Sequence, residues 1–143
     1  MAALIARAQQ QRADAISGLA QSLEGKPLQT TVRMIVEATL AGEAHRPRLA
    51  AALDHEELRL PVSDIVEQAC HTIDRALATL LAPHLPGLSE DEREAACRTL
   101  RVAIRAIVDD GQRHAGTSMD VLGRQLRHLV IGFLREVPAA SRD

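Results

Sequence analysis

Histidine and acidic side chains are the residues of this sequence whose types most directly suggest chemistry, because they bind transition metals. None of the six histidines follows a Glu by three positions, as the metal ligands of di-iron helical bundles do. The best remaining cluster is Glu67, His71 and Asp74, which share one face of a predicted helix opposite its apolar stripe. We therefore predict a solvated polar face there, with no bound metal or cofactor. A helical metalloenzyme that uses these three residues is kept as an alternative.

Nucleophilic catalysis has no better support in the sequence. Neither a Gly-x-Ser-x-Gly elbow nor a Gly-rich phosphate-binding loop is present. Cys70 and His71 are adjacent, but adjacent residues of a helix point about 100° apart and do not face each other. Arg105 and Asp109 have the i, i+4 spacing of a helix-surface ion pair, which contributes only a few tenths of a kcal/mol. The sequence predicts a protein that is not an enzyme.

The composition is that of a soluble globular domain, with 46% apolar and 25% charged residues. Phe133 is the only aromatic residue, so the core must consist of aliphatic side chains. The protein also lacks the set of aromatic rings on which the bases of single-stranded nucleic acid stack. The net charge of −2, without a dense basic stripe, provides no surface for DNA phosphates. The use of Arg in place of Lys and the abundance of Ala suggest a GC-rich bacterial genome.

The cysteines and the hydropathy indicate the compartment. Cys70 and Cys97 lie on apolar faces of predicted helices, which is typical of buried thiols in a reducing environment. No signal peptide opens the sequence, and no apolar run approaches the roughly 20 residues needed to span a bilayer. We predict a cytoplasmic protein without a membrane partner.

Helical periodicity and helix breakers divide the chain into about six predicted helices, and no stretch alternates with the period of a strand. The fifth helix has the clearest start, since Ser89 followed by Glu92 forms a capping box. The predicted fold is therefore an all-α bundle of roughly six helices, in a single domain over residues 1–143. The predicted helices cover approximately residues 2–24, 27–41, 47–58, 63–81, 89–114 and 117–137.

The second, fourth and fifth predicted helices have wide apolar faces, and helices of a bundle can leave a lipophilic cavity between them. In such a cavity, Met34 and Cys70 would supply adaptable lining, and Thr31 and Thr39 would supply hydroxyl groups. A fully packed core explains the same faces. The candidate ligand-binding residues are Thr31, Met34, Thr39, Cys70, Ile73, Leu77, Ile104 and Val108.

The last two predicted helices have more apolar surface than one neighbour can bury. The fifth has a second face of small and apolar residues, so we expect one of its neighbours to come from another subunit. The sixth has a continuous apolar seam, which suits a dimer interface, although a monomeric core explains it nearly as well. The candidate interface residues are Val102, Ala106, Leu126, Leu129, Val130 and Phe133.

Several stretches, taken in their order along the chain, resemble the C-terminal domain of TetR-type transcription regulators. Residues 2–5, followed by a long polar helix, resemble the linker helix of that family. Residues 45–53 resemble its short helix with a Pro-x-Leu motif. Residues 99–111 and 126–134 resemble the two terminal helices that form its dimer bundle.

This resemblance implies a homodimeric repressor with a small lipophilic effector that enters between the second, fourth and fifth helices. The first helix would transmit the effect of binding to DNA-binding heads. Because Met1 falls where the helix-turn-helix of the family would end, DNA would be bound only through a domain missing from this chain. A pocketless helical bundle that binds other proteins is the alternative function.

Overall fold

The computed structural model describes residues 2–44, 63–114 and 116–140. These ranges are all-α and contain no strand, which confirms the predicted fold class. The helix predicted over residues 47–58 lies outside the described residues. The described ranges contain five α-helices, with a short 3-10 helix, Ala82–His84, between the third and the fourth. These are α1 (Ala2–Ser22), α2 (Leu28–Ala44), α3 (Ser63–Leu81), α4 (Glu90–Arg113) and α5 (Met119–Ala140).

The capping box predicted at the start of α4 is confirmed. The Glu92 backbone N–H donates to Ser89 Oγ at 3.2 Å, and the Ser89 backbone N–H donates to Glu92 Oε2 at 2.7 Å. Glu90 and Asp91 add negative charge to the first turn, where the helix dipole favours it. These local interactions explain why the sequence alone located this helix start.

Two helices continue through residues that commonly end a helix. α2 runs past Gly42 to Ala44, and α5 runs through Pro138 to Ala140, so both predicted ends are too early. A glycine inside a helix costs only about 1 kcal/mol. Pro138 lies in the last turn, where the missing N–H removes one hydrogen bond to the preceding turn near the end of the helix. By contrast, Gly25 has a φ of +72° and follows α1, which ends at Ser22. A glycine adopts that left-handed conformation readily, so it terminates the helix as expected.

The helices pack through their apolar faces. α1 lies along α3, α3 along α4 and α2 along α5, and α4 also contacts α5. The interior is aliphatic, as the composition predicted. The most deeply buried side chains include those of Leu81, Leu85, Leu126, Val32, Val36 and Val108. This arrangement places α1 to α4 around a common space, which α5 does not line.

Candidate functional site

A cavity of about 690 Å³ lies between α1, α2, α3 and α4. This volume falls within the range of about 300–1,000 Å³ that is usual for small-molecule sites. Each of the four helices contributes an aliphatic side chain to the wall, for example Ile16, Ile35, Ile73 and Ile104. The cavity thus has the size and the apolar wall that a lipophilic ligand requires.

The structure brings most of the candidate ligand-binding residues together around this cavity. The lining includes Thr39, Cys70, Ile73, Leu77, Ile104 and Val108. Thr31 and Met34 do not line it. Thr31 is one turn before Ile35 and is buried, and its Oγ1 has no hydrogen-bond partner within the described structure. Met34 is half-buried and packs against the core.

The lining residues that were not predicted from the sequence include two groups. The first comes from α1 and includes Gln9, Arg12 and Ile16, because the polar sequence of that helix was interpreted as a linker. The second is charged and comes from α4. It consists of Arg101, Arg105, Asp109 and Arg113. The spacing of Arg101, Ile104, Arg105 and Val108 at i, i+3, i+4 and i+7 is a signal that could have placed both arginines beside the predicted apolar wall.

Asp74 and Arg101 form an ion pair that joins α3 to α4 beside the cavity. Arg101 Nε donates to Asp74 Oδ1 at 2.6 Å, and Arg101 Nη2 donates to Oδ2 at 3.2 Å. Asp74 is 1% exposed. The prediction of a solvated face at Asp74 is therefore wrong, because α4 packs over that side of α3. The hydrogen bond to Asp74 also raises the pKa of Arg101.

The other two residues of the predicted polar face do not join Asp74 in a cluster. Glu67 and His71 are exposed, and His71 Nδ1 lies 3.5 Å from Glu94 Oε1 on α4. In residues 2–44, 63–114 and 116–140, no three His, Cys, Asp or Glu side chains are grouped closely enough to hold a metal ion. The carboxylate of Asp74 instead accepts hydrogen bonds from Arg101.

The Arg105–Asp109 ion pair is present, with Arg105 Nε at 3.1 Å from Asp109 Oδ1. Both side chains are about one-third exposed, at 30% and 31%, and both line the cavity. The pair was expected on an ordinary helix surface. Its position at the cavity wall makes it part of the polar lining.

The two cysteines occupy different environments. Cys70 is half-buried and lines the cavity, so it is less enclosed than predicted. Cys97 is buried in the core, and this burial raises the pKa of its thiol to about 12, with smaller contributions from the carboxylates of Asp74 and Glu94. Cys97 is therefore a protonated, inert core residue, while Cys70 is the thiol that faces the candidate site.

Two of the six candidate interface residues belong to the core of the domain itself. Leu126 and Val130 are buried, because α5 directs its central apolar stripe inward. They are consequently unavailable on the outer surface of this fold.

The remaining candidates lie on the outer side of the last two helices. Val102 is 55% exposed and Ala106 is also exposed on α4. On α5, Leu129 is 39% exposed and Phe133 is half-buried. We call these four apolar residues, two on each helix, the α4–α5 face.

A second groove lies between α2 and α5, separate from the cavity. Arg33 on α2 and Arg127, His128 and Arg135 on α5 line it. Arg33 also lies within an i, i+4 ion pair with Glu37, at 3.9 Å between Nε and Oε1. The groove is a basic surface that shares no lining residue with the cavity.

Comparison with known proteins identifies the family. Residues 27–134 match the family model described as the tetracyclin repressor-like C-terminal domain. Neither the curated proteins nor the solved structures include a match to this chain. No helix in the described ranges is long and apolar enough to cross a membrane. Since the family model spans most of the chain and the fold is all-α, this protein belongs to the tetracyclin repressor-like C-terminal domain family.

Proposed function

We propose that this chain is the ligand-sensing and dimerising domain of a TetR-type transcriptional repressor, and that it binds a small lipophilic effector. The cavity lined by helices α1 to α4 is the observation that carries the proposal, because its volume and aliphatic wall suit such a molecule. Family membership supports a regulatory role for the domain. The same role requires no catalytic residues.

The position of α1 suggests how effector binding would control the DNA-binding part of the regulator. Residues of α1 form part of the cavity wall, and the helix packs along α3. An effector that fits the cavity better in one position of α1 than in another would shift the population toward that position. Only such a difference in affinity can move the equilibrium. In this proposal, α1 carries the shift to the DNA-binding part of the regulator.

A thermal-shift screen with small lipophilic compounds tests the proposal. A compound that binds the cavity stabilises the folded state by mass action and raises the melting temperature. Ile73→Trp places a much larger side chain on the cavity wall and should weaken the shift, whereas Ile65→Trp makes the same change at an exposed position of α3 outside the lining. We expect the Ile65 variant to respond like the unmodified protein.

Two results would count against a sensing role. Silence across a broad lipophilic screen would favour the alternative function, a pocketless bundle that binds proteins through its outer faces. An equal response in the Ile73 and Ile65 variants would show that the compounds bind outside the cavity.

A further inference from the structure

The charged side chains that line the cavity are mostly arginines. The described lining contains four arginines and one aspartate, namely Arg12, Arg101, Arg105, Arg113 and Asp109. Opposite them, aliphatic side chains from all four helices form the apolar wall. This lining disfavours a cationic ligand, and a neutral ligand can accept only uncharged hydrogen bonds from it. A ligand with an anionic group and an apolar body would match both parts of the wall.

Arg101 is the arginine best placed to receive the anion. A guanidinium has five N–H donors, and the two hydrogen bonds to Asp74 use two of them. Asp74 is buried and is not itself part of the lining. It therefore fixes the guanidinium without lining the cavity itself, while 25% of the Arg101 side chain stays exposed. A planar cation fixed in this way is suited to a carboxylate, which matches the geometry of its N–H groups.

We infer that the effector is a carboxylic acid with an apolar chain, whose carboxylate binds Arg101 while the chain lies against Ile73, Ile104 and Val108. This inference rests on the proposed sensing function and specifies its ligand class. Arg105, one turn along α4 from Arg101, lies on the same wall as part of an ion pair. Its partner Asp109 is the single acidic residue in the described lining.

Three probes of equal chain length test the inference on the unmodified protein. Decanoate, decanol and decylamine differ only in the charge and geometry of the polar end. Calorimetry should show that decanoate binds about tenfold more tightly than decanol, because a charge-assisted hydrogen bond is stronger than a neutral one. Decylamine should not bind measurably.

The outcomes separate the ligand class from the sensing function. Decanol or decylamine binding at least as tightly as decanoate would overturn the acid assignment while leaving a lipophilic sensor in place. Binding of other lipophilic compounds but of none of these three would also overturn it. Silence of all three together with silence in the broad screen would overturn both proposals.

Variants at Arg101 test the residue that we assign. Arg101→Lys keeps a cation opposite Asp74 but lacks the planar fork, so decanoate should bind several-fold more weakly and decanol should bind unchanged. The double variant Asp74→Asn, Arg101→Gln removes the ion pair without leaving a buried charge, and it should lose the preference for decanoate. Arg127→Gln in the α2–α5 groove is the matched control and should bind like the unmodified protein. Unchanged decanoate binding in Arg101→Lys would overturn the assignment, even if the double variant does not fold.

Cys70 reports where the acid binds. The chain has two cysteines, and Cys97 is buried with its thiol pKa raised to about 12, so iodoacetamide should modify Cys70 in the folded protein. Decanoate in the cavity should slow this reaction in proportion to occupancy. Binding of decanoate that leaves the rate of Cys70 modification unchanged would place the acid elsewhere and overturn the inference.

Discussion

Asp74 and Arg101 tie α3 to α4 through two hydrogen bonds in a largely buried setting. Removal of one partner leaves the other charge uncompensated, which is the costly case for a buried pair. We expect Asp74→Ala to lower the free energy of unfolding by about 3 kcal/mol, as measured by urea denaturation. Arg98→Ala is the control, since Arg98 Nε lies 3.9 Å from Asp74 and its side chain is 55% exposed. A loss as large in the Arg98 variant would contradict this ranking of the two arginines.

Cys97 predicts a pH dependence of stability at alkaline pH. Its thiol pKa is about 12 in the folded protein, against 9.0 for an ordinary thiol. The unfolded chain therefore releases its proton first as the pH rises, so the contribution of Cys97 is complete below about pH 9 and is lost between about pH 9 and pH 12. The chain has no tyrosine and one lysine, Lys26, so few other groups titrate in this range. We expect Cys97→Ala to show a flatter decline in the free energy of unfolding over this interval. An unchanged slope in that variant would contradict the prediction.

Thr31 and Thr39 lie on α2 in opposite hydrogen-bonding situations. Thr31 Oγ1 is buried without a partner in the described structure, whereas Thr39 Oγ1 donates to the Ile35 carbonyl at 2.8 Å. A buried polar group without a hydrogen bond costs free energy. We expect Thr31→Val to raise the free energy of unfolding by about 1 kcal/mol in urea denaturation. Thr39→Val should lower it or leave it unchanged, and a gain at both positions would show that burial of the hydroxyl at Thr31 is not the cause.

Two glycines inside helices allow the effect of helix propensity on stability to be measured apart from the effect of packing. A Cβ at Gly18 in α1 would meet no atom within 4 Å, whereas a Cβ at Gly111 in α4 would lie 3.2 Å from Leu122 Cδ1. We expect Gly18→Ala to raise the free energy of unfolding by about 0.5–1 kcal/mol, because the unfolded chain loses backbone freedom. Gly111→Ala should gain less or lose stability, since Leu122 must shift. Thermal denaturation of both variants gives the comparison, and an equal gain would mean that Leu122 moves at no cost.

The elements show which helix ends a sequence can predict. The start of α4 depends on Ser89 and Glu92, which lie three positions apart, so local sequence contains the whole signal. The bounds of α3 were likewise predicted at Ser63 and Leu81. The end of α2 was not, because a glycine such as Gly42 costs a helix only about 1 kcal/mol and does not by itself end it.

The candidate site was also only partly predictable from the sequence. Periodicity places Ile73, Leu77, Ile104 and Val108 on inward faces, and they do line the cavity. The burial of Asp74 could not be predicted in this way, because its own helix presents it opposite the main apolar stripe. Only the position of α4 decides that Asp74 is covered, and that position depends on contacts between residues far apart in the sequence.

At the scale of the whole molecule, the α4–α5 face predicts the oligomeric state. Val102 and Leu129 are exposed aliphatic side chains on its two helices, and burial of such surface favours association. Light scattering after gel filtration should give twice the chain mass of 15.5 kDa. Val102→Glu should give a monomer, because it would bury a charge at the interface. Ile65→Glu, an exposed position on α3, should remain a dimer.

A monomer of the unmodified chain across micromolar concentrations would contradict the dimer. Dissociation of the Ile65 variant as well would show that the surface used is not the α4–α5 face.

The cavity draws its walls from helices that lie far apart in the sequence, from Gln9 on α1 to Arg113 on α4. Contacts of such long sequence separation form late, because loop closure must come first. We expect the site to form only once α1 packs on α3, so that a bound effector would stabilise the native state and not the folding transition state. We expect occupancy to slow unfolding while the rate of folding stays unchanged. In a cell, an occupied domain would then spend less time open to proteases than an empty one.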